Sequence, residues 1–358
     1  MSANPIAARA IEKHAHTIAA GACNALLAAH ADIDSRFGSD AQEMWTDHLQ
    51  QRLMELSAAM AAGDLGMFAA RLAWSRSAMQ ARGLTTIDLD ASLAALRAAL
   101  AEQMTDAAGV EALNYIDQAT RLLDKPSTGR LDPTLDAGIA LDRLALQYVQ
   151  TVVAGNVLPG IQLVLDAVKH GVSVTDAYLR VLLPAQHEVG RLWHLNELSV
   201  SEEHLVSYTT QRLMAMLSGQ AQRKTDNGFT AVAGAVAGNV HDIGIRAISY
   251  LLEIDGWRTI YLGSDIPQVE VPNTLETYQA DVLLLSVALT SQLSATERTI
   301  TNIRDNCQRP VKILVGGNGL AERPELWREI GADGYAADAE TALKLAYQFA
   351  SGSDSEHP

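Results

Sequence analysis

Residues 229–238 read FTAVAGAVAG, and the chain runs on as Asn239-Val240-His241-Asp242-Ile243-Gly244 into an amphipathic stretch over 243–254. A run of Val, Ala and Phe closed by glycine is the pattern of a strand buried on both faces, and the three- and four-residue apolar spacing after it is that of a helix. The alternation repeats. Strands are predicted over 257–262, 282–287, 311–315 and 334–335, and helices over 295–306, 322–330 and 339–350. Strands joined through helices run parallel, and a parallel sheet must be covered on both faces. The expectation is a doubly wound α/β sheet of five strands over residues 225–350, with its ligand beyond the carboxyl ends of the strands.

Upstream the character is different. Residues 5–123 contain one proline and are rich in Ala, Leu and Met at helical spacing. Leu49, Leu53, Leu56 and Met60 trace one face of a helix that Gly63-Asp64 ends. A further helix spans 65–81, and another spans 86–100 with Thr86 or Asp88 as its cap. The stretch DKPSTGRLDP over 124–133 is a linker composition. A second helical block over 135–219 is broken by Gly155, Pro159, Gly171, Pro184 and Asn196, so its helices are short and antiparallel. The predicted organisation is an all-helical domain over 1–125, a linker over 126–134, a four-helix-type cap over 135–222, the sheet domain over 225–350, and a disordered tail over 351–358.

Composition excludes several classes. The 358 residues carry 27 Lys and Arg against 42 Asp and Glu, a net charge of -15, which repels phosphate backbones and argues against nucleic acid. No apolar run approaches the roughly 20 residues of a membrane span. Cys23 and Cys307 form no CxxC or paired pattern, so a reducing cytoplasm is expected.

The predicted strand ends carry Leu262-Gly263-Ser264-Asp265-Ile266-Pro267, Ser286-Val287-Ala288-Leu289-Thr290-Ser291 and Gly316-Gly317-Asn318-Gly319. Small and glycine residues let a large ligand approach the backbone. Taken alone, His241 reads as a helix cap. No GxGxxG or GxxxxGK[ST] loop is present, which weakens a nucleotide reading. The set resembles the flavodoxin-like cobalamin-binding domain, whose pattern is an acidic residue, any residue, His, two residues and Gly, then a Ser-x-Leu-like segment and a glycine pair. Here these are Asn239 to Gly244, Ser286 to Thr290, and Gly316-Gly317, with the Leu262-Gly263 turn also of this kind. The resemblance implies that His241 binds cobalt from below in place of the cofactor's own base. It implies too that Asp242, Ile243, Gly244, Leu262, Gly263, Ser286, Leu289, Thr290, Gly316 and Gly317 surround the cofactor. The family's acidic residue is Asn239 here, which brings no charge, so a weaker or more labile His241–cobalt bond is expected.

In the cap, Trp193 is followed after nine residues by Glu203-His204, a spacing similar to that of CarH-type adenosylcobalamin photoreceptors, where these residues surround the adenosyl group. The alternative is that Trp193 is core and Glu203-His204 belongs to a helix capped at Ser199 or Ser201. The resemblance implies that His194 takes the upper cobalt position after illumination; otherwise it is an exposed loop residue. CarH-type repressors carry a basic DNA-binding domain, and this chain has an acidic helical bundle instead. That arrangement is similar to the photocobilins, which pair cobalamin with biliverdin. Trp45, His48, Arg71, Trp74 and Arg76 are of the types a bilin needs, Cys23 offers a covalent attachment or plain packing, and structural dimerisation is the alternative role for the bundle. His14, His16 and His30 are expected on the solvent side of the first helix. The function expected is a non-enzymatic light sensor that binds adenosylcobalamin, signals through changed domain or subunit contacts as a light-dependent homo-oligomer, and acts on an unknown downstream protein. Its rival is a corrinoid methyl carrier of a methyltransferase system.

Overall fold

The computed structural model describes residues 3–30, 32–123 and 132–352. The linker expected over 126–134 and the tail expected over 351–358 lie mostly outside them. Two compact units divide the chain, Met1–Arg130 and Leu131–Pro358.

The first unit is helical throughout its described residues: α1 (Pro5–Ala29), α2 (Asp32–Phe37), α3 (Ala41–Ala62), α4 (Leu65–Ala81), α5 (Thr86–Gln103) and α6 (Ala107–Leu123). Ile11, Ile18, Cys23 and Leu26 are buried on one face of α1, which packs along α3 and α5. Gly63, at φ 65°, ends α3 in the left-handed conformation that glycine adopts without strain. Thr85, and neither Thr86 nor Asp88, precedes α5. Asp88 sits at the third helical position, and its carboxylate accepts from the Thr85 N–H and hydroxyl at 3.1 Å. His14 and His16 are exposed, whereas His30 ends the helix half-buried.

The second unit opens with the cap. It comprises α7 (Ala140–Val153), α8 (Val157–Lys169), the turn α9 (Val174–Asp176) passing into a π-helix at Ala177–Leu182, α10 (Leu183–His194) and α11 (Val200–Gln220). Tyr148, Val152, Val164, Tyr178, Leu213 and Leu217 form its core. The two buried phenols are satisfied: Tyr148 shares a 2.8 Å hydrogen bond with Thr210, and Tyr178 donates to the Met214 carbonyl. Ser199, not Ser201, caps α11, exchanging bonds with Glu202.

The sheet region follows as β1 (Thr230–Ala235), α12 (Ile243–Ile254), β2 (Arg258–Tyr261), α13 (Val271–Tyr278), β3 (Val282–Ser286), α14 (Leu293–Asn306), β4 (Lys312–Gly316), α15 (Leu326–Glu329), β5 (Gly334–Ala336) and α16 (Ala339–Ser351). All strands pair in parallel, in the order β2-β1-β3-β4-β5. Every residue of β1 is buried, as a central parallel strand requires. Ala247, Leu251 and Ile254 of α12 join the cap core, and Leu343 of α16 packs against it, so cap and sheet share one apolar cluster. The strand order reverses between β1 and β3, and the crevice at their carboxyl ends is the switch point.

Two helices depart from expectation. α13 is absent from the sequence reading, because Pro272 looks like a breaker, yet it stands in the first turn, where the missing N–H costs nothing. α15 is shorter than the predicted 322–330 and starts only after Pro324.

Candidate functional site

The loop after β1 is held by its neighbours rather than by its own helix. Asn239 is fully buried; its Oδ1 accepts from the His241 backbone N–H at 3.0 Å and its Nδ2 donates to the Ser286 carbonyl at 2.9 Å. Gly238, at φ 77°, donates its N–H to Asp265 Oδ1 at 2.7 Å, and its carbonyl accepts from Gln292 Nε2 at 2.9 Å. Gln292 also accepts from the Ala288 and Leu289 N–H groups at 3.0 Å. Asp265 is itself strained, at φ 52°, a cost that surrounding bonds must offset. The rims after β1, β2 and β3 thus form one stitched ring. His241 projects from it with an exposed ring whose nitrogens bond to no described residue.

Beside His241 lies a cavity of about 520 Å³. Its sheet side is formed by Gly244 and Ile248 of α12, Ser286, Gly316 and Ala342 of α16, and its cap side includes Arg180 and His187. The volume is within the range of small-molecule sites. A Cβ on Gly244 would meet nothing within 4 Å, so this position is an open cradle. Gly316 and Gly317 answer a different need. A Cβ at Gly316 would come within 2.7 Å of the Ala336 carbonyl, and one at Gly317, where φ is 105°, within 2.5 Å of the Val287 carbonyl. These glycines serve close strand and loop packing before they serve any ligand.

Other expected contacts are placed differently. Asp242 is 6% exposed, and its carboxylate is committed to Arg246 at 2.7 Å, the Tyr261 hydroxyl at 2.5 Å and Gln211 of the cap at 3.3 Å. Burial and this carboxylate both push the Tyr261 phenol up. Asp242 therefore joins cap to sheet. Asp242→Asn should lower stability by about 1.5 kcal/mol by leaving Arg246 without its charged partner, measurable as a shift in urea midpoint at unchanged slope. Thr290 is buried at 3.4 Å from Glu322, and Leu262 is tied by its N–H to the Ala233 carbonyl at 2.8 Å. Ile243 packs on the cap core, and Gly263 turns the chain at φ 85°.

Trp193 is half-buried against the cap core. His194 is 2% exposed in the last turn of α10, which corrects the exposed-loop alternative. Glu203 accepts from Ser207 at 2.5 Å and lies 3.5 Å from His204, whose exposed ring meets Tyr208 edge-on. None of these four lines the cavity beside His241. Asn239, which stands at the family's acidic position, accepts from the His241 backbone and makes no bond to its imidazole. Asp265, Gln292, Gln211 and Arg180 were not singled out; Asp265 alone had a signal, in its place on the quoted strand-end turn.

In the helical unit, Trp45 and His48 meet edge-on at 5.5 Å, and burial pushes His48 down to about 3, with Arg52 adding to the effect. Arg52 pairs with Glu55 at 2.5 Å and bonds Ser75. Arg76 bonds the Leu123 carbonyl, Trp74 is exposed, and Cys23 is buried near the Gln42 carbonyl.

An imidazole at the switch point of a 2-1-3-4-5 sheet, with a cavity beside it and a helical cap packed on α12, defines a class of corrin-holding modules. Residues 229–344 match the family described as B12 binding domain, and residues 144–218 match a second family of the same description. The chain belongs to the B12-binding corrinoid proteins. It is 32% identical over 117 residues to dimethylamine corrinoid protein 3 of Methanosarcina mazei, covering 32% of this chain and 68% of that protein. To a corrinoid protein of Desulfitobacterium hafniense it is 26% identical over 186 residues, covering 50% of this chain and 85% of that one. The fold is also that of the Methanosarcina barkeri monomethylamine corrinoid protein, with a TM-score of 0.52 and 21% identity over 58% of this chain and 99% of that chain. No helix among the described residues is long and apolar enough to cross a membrane.

Proposed function

We propose that this chain holds a cobalamin with its nucleotide tail in the cavity and His241 as the lower cobalt ligand, and that it carries a cobalt-bound methyl group for a partner methyltransferase without being a catalyst itself. The observation that carries the reading is an exposed imidazole whose nitrogens bond to no described residue, beside a cavity of about 520 Å³ with an open glycine cradle. A neutral imidazole suits cobalt as a borderline nitrogen donor. When bound, cobalamin supplies a cobalt–carbon bond, which can pass on a methyl group or, with an adenosyl group, break in visible light. The chain's share is positional. Asn239, Asp265 and Gln292 fix the loop that presents His241, and Asp242 keeps the cap over the sheet through Gln211. The carrier reading draws on the relatives named as dimethylamine and monomethylamine corrinoid proteins.

A second reading, an adenosylcobalamin light sensor with a light-dependent homo-oligomer, is favoured by one feature. Trp193 stands in the last turn of α10 and Glu203-His204 near the start of α11, at the spacing that resembles the photoreceptor cap. A biliverdin in the helical unit belongs to this reading. Absorbance and elution volume of protein loaded with adenosylcobalamin in the dark, before and after green light, separate the two. A changed spectrum with changed elution volume supports the sensor; free exchange of a methyl group with a methyltransferase, and no change of assembly in light, supports the carrier.

A further inference from the structure

The two sides of the cavity differ in charge. On the sheet side, Asp338, the N-cap of α16, and Glu340 in its first turn are among the lining residues, and both are exposed. Asp338 is engaged in capping, accepting from the Thr341 N–H at 2.7 Å. On the cap side stand Arg180, from the π-helix, and His187, from α10. Desolvation lowers His187 below the ordinary imidazole value, disfavouring its charged form. Arg180 is exposed and makes no hydrogen bond or ion pair with any described residue. Among the described residues that line the cavity, the cap side thus holds one uncommitted cation, Arg180, and the sheet side two acidic residues.

A nucleotide tail is apolar at its base but carries a negative charge at its phosphodiester. Seating it here brings that charge to a wall whose carboxylates repel it. A guanidinium offers the matching fork of donors, and a charge-assisted bond to phosphate is about twice as strong as a neutral one. We propose that Arg180 binds the tail phosphodiester of cobalamin and makes this chain select complete corrinoids over those without the tail. The inference rests on the cobalamin reading above.

The test compares aquocobalamin with diaquocobinamide, the same corrin without phosphate, ribose or base, binding to the full chain by calorimetric titration. Arg180→Gln should weaken cobalamin by about tenfold or more and leave cobinamide unchanged, while Arg180→Lys, which keeps the charge and loses the fork, should fall between Arg180→Gln and the parent. The loss should shrink at high salt, where an exposed pair is screened. Arg180→Gln weakening both ligands equally, or neither, would overturn the assignment while the cobalamin reading stands. A wild-type chain that binds neither ligand removes the reading and the assignment together.

Discussion

Protein carrying His241→Ala is expected to lose the imidazole signature from the absorption spectrum of bound cobalamin, leaving that of a water-ligated, base-off corrinoid at neutral pH. Affinity should fall by roughly 100-fold or more, since loss of even a partner behind a metal ligand costs 10–100-fold. The fold should be untouched. His241 is exposed and its ring bonds to no described residue, so unfolding should stay within about 0.5 kcal/mol of the parent. The loop is held through the backbone N–H of residue 241 and through Gly238, both of which the substitution preserves. Free imidazole in the buffer should restore the spectrum, because the missing donor is then supplied from solution to the same place. An unchanged spectrum and affinity would show that the cobalt is ligated elsewhere.

What could be read from sequence was what depends on local pattern. β1 was legible because a central parallel strand is apolar at every position, and α12 because its buried residues keep helical spacing. The ends of β1, β2 and β3 were placed one or more residues too far, for a physical reason: Val236, Leu262 and Val287 lie past the ladders, yet each still donates its N–H to a neighbouring rim or strand; those of β4 and β5 were placed one residue short. His241 was legible from its position after the first strand. The ring that holds it was not, because Asp265 and Gln292 reach Gly238 across 27 and 54 residues, a separation no short motif encodes. Gly316 and Gly317 were found for a reason the structure changes, namely backbone crowding against Ala336 and Val287. Arg180 was hidden because nothing in the local sequence marks the π-turn that carries it, and only the packed cap brings that turn to the cavity.

Ser286→Leu tests the cavity as His241→Ala tests the ligand, and the two should fail differently. Ser286 ends β3, lines the cavity, and is fixed by its backbone, whose carbonyl accepts from the Val236 N–H at 3.1 Å and from Asn239 at 2.9 Å. Those bonds survive any side chain, so a leucine here must extend into the cavity space or push its wall. In the free protein that space is open and the added apolar group is tolerated. In the complex the leucine and the tail compete, and overpacking of this kind costs typically 1–3 kcal/mol, a loss of about tenfold to 100-fold in cobalamin affinity. Cobinamide, which has no base to insert, should bind Ser286→Leu within a few-fold of the parent and still show the His241 signature. His241→Ala, in contrast, should lose that signature with both ligands. Full cobalamin affinity in Ser286→Leu would mean that the tail does not enter between β3, β4 and α16, and the cavity would then need another occupant. Loss confined to cobalamin would establish that ligation at His241 and insertion of the tail are separate contributions, each held by its own part of the rim.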